Sequence, residues 1–108
     1  MPWYNFSSVP FAYLFLSRQV PGSGIQLARA LAPDHVSRNA IDQFATNNPE
    51  FAGANIGSIP PLFDPSIDNY QHIDLLKLIL FYNEDMGIVA GSGVSERRKA
   101  MRNWLITF

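Results

Sequence analysis

The sequence predicts an all-α fold: four or five short helices around a central apolar helix at about 70–85. Three observations carry that expectation. Apolar residues recur at helical spacing through 36–45. The stretch 70–85 is too apolar to present a single buried stripe and an exposed remainder. Capping residues and Pro or Gly stops punctuate the chain at the expected helix ends. With 108 residues, one domain with one core is expected over the whole length.

The first eight residues, MPWYNFSS, form an irregular aromatic arm. Ser8 can cap a helix at about 9–19, with Pro10 tolerated in its first turn. Val9, Phe11, Ala12, Tyr13, Leu14, Phe15 and Leu16 make it apolar nearly all round, so burial on most sides is expected. Pro21-Gly22-Ser23-Gly24 ends it, and a short helix follows at about 25–31. After Pro33, Asp34 or Ser37 caps a helix to about Thr46, with an apolar stripe of Val36, Ala40, Ile41, Phe44 and Ala45.

Residues from about 47 to 69 read as a long ordered loop rich in Pro, Gly and Asn. Phe51, Ile56, Ile59, Leu62 and Phe63 recur along it as apolar anchors, and Ile59-Pro60-Pro61-Leu62 suits an extended or polyproline II stretch. Asp68 or Asn69 then caps the central helix, and Gly87 is its expected C′ residue. Residues 88–93 read as a flexible link. Ser95 caps a last helix to about Ile106, with Val94, Met101, Trp104, Leu105 and Phe108 as its apolar face and Arg98, Lys99, Arg102 and Asn103 off it.

Charged residues are 16% of the chain, below the roughly 25% usual in globular proteins. That leaves more surface to apolar and uncharged groups, as suits a protein that hides surface in an assembly. A net charge of −1 argues against a dominant electrostatic partner for the molecule as a whole. The charge is polarised, however: +2 over residues 1–38, −6 over 39–85 and +3 over 86–108. An acidic middle between basic ends can neutralise itself on folding or stack against a second copy. The absence of cysteine removes disulfide frameworks, thiolate zinc sites and cysteine nucleophiles.

The apolar run VPFAYLFL is too short for a membrane span, which needs about 20 residues. No basic residue precedes it and no small-residue cleavage site follows, so neither a signal peptide nor a transmembrane helix is expected. A soluble protein is expected, its lack of cysteine compatible with the cytoplasm or a virion.

No pattern reaches the specificity of a catalytic or cofactor signature. His35 and His72 have no partner at metal-ligand spacing, so no metal is expected. His72, near Asp68 and Asp74, lacks any companion nucleophile. The Gly87–Gly93 stretch lacks the Lys-Ser or Lys-Thr of a P-loop and follows a helix, not a strand. No cofactor or small-molecule substrate is implied.

Two features point toward partners. Residues 1–16 contain no charged side chain, and Trp3, Tyr4, Phe6, Phe11, Tyr13 and Phe15 are six of the fourteen aromatics. Such residues either complete the chain's own core or insert into a partner. Arg97, Arg98, Lys99 and Arg102 form the second feature, a basic cluster that can meet carboxylates or phosphates. The expected function is therefore a non-enzymatic structural or adaptor subunit. It would make protein–protein contacts, to itself or to another chain, within a virion or multi-subunit complex, anchored by Trp3, Tyr4, Phe6 and Phe11. The alternative is a small nucleic-acid-binding or regulatory protein that uses the basic helix.

Overall fold

The computed structural model describes residues 23–51 and 66–106. The aromatic arm, the helix expected at 9–19 and the extended stretch at 59–62 lie outside the described residues. The described residues form four helices: α1 (Ile25–Leu31), α2 (His35–Asn47), α3 (His72–Tyr82) and α4 (Val94–Ile106). Two 3-10 turns, Pro49–Phe51 and Ile67–Asn69, mark the ends of the long loop, and the described residues include no strand.

Helix α3 is the centre of the fold because apolar residues cover most of its circumference. Leu75, Leu76, Leu78, Ile79, Leu80, Phe81 and Tyr82 are all buried. It packs against α1, α2 and α4, so each part of its circumference has an apolar neighbour. Leu76, Ile79 and Leu80 are each 0% exposed. Phe81 and Tyr82, successive in sequence, point about 100° apart on the helix and join two halves of one aromatic chain. Phe44 of α2 meets Phe51 edge-on at 4.7 Å, Phe51 meets Phe81 at 5.6 Å, and Tyr82 meets Trp104 of α4 at 5.6 Å. Phe51 thereby acts as the anchor its sequence position suggested.

The central helix is shorter than expected at both ends. Asp68 and Asn69 lie in the 3-10 turn rather than at the cap. Gln71 is the N-cap, and its N–H donates to the Asp74 carboxylate at 2.9 Å. At the other end Asn83 adopts the left-handed conformation (φ 55°), and its N–H donates to the Ile79 carbonyl at 2.9 Å. Asparagine tolerates that conformation better than most residues, so the helix stops at Tyr82, and Gly87 (φ 75°) belongs to the following turn.

Two other expected caps resolve as follows. Asp34 rather than Ser37 caps α2, its carboxylate accepting from the Ser37 N–H at 2.7 Å. Ser95 is inside the first turn of α4 and is not its cap. The Glu96 carboxylate instead reaches back to the Gly93 N–H at 3.1 Å. Val36 does not belong to the buried stripe of α2. It sits in the first turn and is 75% exposed, while Ile41 is fully buried.

The link before α4 is pinned rather than loose. Met86 (φ 55°) and Ile88 are both buried, the Gly87 N–H donates to the Asp85 carboxylate, and the Ile88 N–H donates to the Asp85 carbonyl. These anchors fix where α4 begins, and with it the position of Arg97.

Candidate functional site

The basic residues of α4 do not share one exposed face. Helical geometry puts Val94, Arg97, Met101 and Trp104 on one stripe, at spacings of three, four and three. That stripe faces the core: Met101 is fully buried and Trp104 half-buried. Arg97 lies in it and is 0% exposed. Arg98 turns toward the 3-10 turn, where its Nε donates to the Tyr70 carbonyl at 2.6 Å. Arg102 forms an ion pair with Asp68 of the same turn. Lys99 is exposed and makes no ion pair or hydrogen bond with the described residues.

The polarised charge pattern is thus partly consumed inside the fold. Arg29, from the basic first segment, forms a two-point ion pair with Asp42, Nε to Oδ1 at 2.7 Å and Nη2 to Oδ2 at 3.1 Å. That pair lowers the Asp42 carboxyl and raises the Arg29 guanidinium from their ordinary pKa values. Arg102 ties the basic last segment to the acidic middle in the same manner. Lys77, the one cation of the middle segment, sits 4.6 Å from the Phe44 ring centroid. Glu84, which opposes the α3 dipole, forms no ion pair with a cation among the described residues. It accepts instead from the Trp104 indole N–H at 3.2 Å.

The region with unbalanced polar chemistry is the meeting of the two helix starts, α3 and α4. The Arg97 Nε donates to the Ser92 carbonyl at 3.2 Å and to its hydroxyl at 3.3 Å. Nη1 and Nη2 are buried without a hydrogen-bond partner, and so is Nδ1 of His72 at the start of α3. Burial pushes the Arg97 guanidinium below its ordinary pKa. His72 is also lowered, first by burial and then by the positive charge of Arg97, with Asp34 opposing and Arg98 adding to the effect. The Asp34 carboxylate is held low chiefly by its hydrogen bonds to Ser37 and is already committed as the α2 cap.

Residue type alone groups Arg97 with Arg98, Lys99 and Arg102 on one basic face. The available signal was its position on the Val94–Met101–Trp104 stripe, one residue off the exposed side. Asp68 and Asp74 are the carboxylates close to His72 in sequence. Asp68 is committed to Arg102 and Asp74 to the α3 start. Among the described residues no group of three His, Asp or Glu side chains is placed to hold a metal ion, and no helix is long and apolar enough to cross a membrane. Trp3, Tyr4, Phe6 and Phe11 lie outside the described residues. No protein-family model, curated protein or solved structure matches the chain.

Proposed function

We propose that this chain is a non-enzymatic structural or adaptor subunit that makes protein–protein contacts within a larger assembly. The observation that carries the proposal is the first sixteen residues, which hold six aromatic side chains and no charge. Aromatic residues in a low-charge segment are suited to fill a partner's groove or the matching surface of a second copy, at on the order of 150–250 Å² buried per ring. The commitment of Arg29, Arg98 and Arg102 to internal partners supports it indirectly, because a phosphate-binding surface needs cations that are free to reach outward. A virion or a multi-subunit complex is a suitable setting for such a subunit.

The test is removal of residues 1–8 with the mass measured by light scattering and the fold by thermal melting. The expected outcome is a cooperative melt with loss of the higher-mass species formed by the full chain, alone or with its copurifying partner. A full chain that stays monomeric at high concentration with no partner would overturn the proposal. So would a deletion that unfolds the protein, which would place the aromatics in its own core. Salt-sensitive sub-micromolar binding of DNA or RNA would replace it with the nucleic-acid function.

A further inference from the structure

The cost of the Arg97 charge is not met by the described residues. A guanidinium carries five N–H donors and cannot shed its charge under ordinary conditions. Only Nε of Arg97 is satisfied, by Ser92, while both terminal nitrogens are buried and unpaired. The described carboxylates at these helix starts are engaged: Asp34 with Ser37, Asp74 with Gln71, Glu96 with Gly93 and Asp68 with Arg102. Arg97 and Arg98 both oppose a positive charge on His72, and Asp34 alone favours it. Water could fill the hydrogen-bonding demand, but a neutral molecule cannot balance a buried charge.

We propose that the terminal nitrogens of Arg97, together with His72 Nδ1 in its N–H tautomer, form an internal receptor for one small oxyanion, a carboxylate or phosphate group. The forked nitrogens of arginine match two oxygens of either group, and the histidine supplies a third donor from a second helix. One negative charge balances the buried guanidinium of Arg97. Because Arg97 is 0% exposed, the ion enters when the turn around Ser92 opens, so binding is slow and must be given time to equilibrate. The site is independent of the assembly role proposed for the aromatic arm.

Calorimetry and thermal melting of the full chain test the site, with inorganic phosphate in one arm and acetate in the other. Both are compared with chloride at matched ionic strength after long incubation. The expected result is saturable one-to-one binding of at least one oxyanion, with the melting temperature raised by roughly 10 °C at a hundredfold excess over Kd. The arm that binds identifies the group. Arg97→Met should melt no lower than the wild-type protein in chloride, since it removes an unbalanced charge, and should gain nothing from either oxyanion. If Arg97→Met fails to fold, wild-type calorimetry still decides whether an oxyanion binds, and His72→Ala should weaken the binding about tenfold. Three results overturn the proposal. The first is no saturable binding of either oxyanion. The second is equal stabilisation of wild type and Arg97→Met, the signature of general salt exclusion. The third is an oxyanion-insensitive wild type whose stability falls on replacing the one acidic side chain outside the described residues, Asp64→Asn, which would make the counter-charge the chain's own.

Discussion

Gly24→Ala is the substitution with the sharpest consequence. Gly24 is buried where the start of α1 crosses the end of α3, and its N–H donates to the Leu80 carbonyl at 3.1 Å. A Cβ at this position would overlap the Ile79 carbonyl oxygen and stand 3.0 Å from Asn83 Cα. Both obstacles are backbone, and the Ile79 carbonyl is already holding the Asn83 N–H that ends α3. Neither can swing aside as a side-chain tip would. The start of α1 must therefore retreat, which breaks the Gly24–Leu80 hydrogen bond and loosens Ala28 and Leu31 from the core. Overpacking of this kind costs roughly 1–3 kcal/mol, and a buried carbonyl left unpaired costs about another 1–3 kcal/mol. The expected loss is then about 2–6 kcal/mol, enough to lower the melting temperature by roughly 10 °C or more. Gly93→Ala is the control. A Cβ there meets nothing within 4 Å, so its cost should stay below about 1 kcal/mol. Urea denaturation of the two variants measures the contrast. A Gly24→Ala loss under about 0.5 kcal/mol would refute the close crossing of α1 and α3.

Leu76→Ala, Ile79→Ala and Leu80→Ala should each destabilise the protein by roughly 2–5 kcal/mol, since all three side chains are fully enclosed. Unchanged denaturation midpoints would show that α3 is not the core helix. His72 should make stability pH-dependent. Its pKa in the fold is below 6.5 because of burial first, then Arg97, with Asp34 opposing and Arg98 adding. Above 6.5 the imidazole is neutral in both states and the folded form keeps its full stability. As pH falls from 6.5 toward the folded value, the unfolded chain takes up the proton first and stability declines. His72→Gln should flatten that decline, and an unchanged pH profile would show that the imidazole is not held neutral by its surroundings.

The helices were legible in the sequence where local signals and burial agree. Helix α1 matched the residues expected, and α2 followed from its Asp34 cap and the Asn-Pro stop. The existence of α3 followed from apolar content alone, but its ends did not. Asp68 and Gly87 are stronger cap signals than Gln71 and Asn83, and tertiary placement overrode them. Once Ile67 and Tyr70 are buried, the chain is turned in a 3-10 conformation before α3 can start. Val36 shows the opposite failure. It has the right spacing for the stripe, but it occupies the first turn of α2 and projects past the end of the core.

Arg97 shows why the candidate site was less legible than the fold. Residue type placed it with Arg98, Lys99 and Arg102, because four cations within six positions read as one solvated face. Helical phase places it with Val94, Met101 and Trp104. When type and phase conflict, the helix must either rotate its apolar stripe out of the core or bury a charge. Here Met101 and Trp104 are held by the core and by the Tyr82 and Glu84 contacts, so α4 cannot rotate. Arg98 and Arg102 add to this by gripping the 3-10 turn from the neighbouring face. The guanidinium of Arg97 is carried inside as a consequence, and the Ser92 turn satisfies only its inner nitrogen. A folded chain tolerates such a charge only where an anion, from solution or from its own acids, completes it. That requirement makes the start of α4, rather than its outer basic residues, the place where ligand chemistry is most constrained among the described residues.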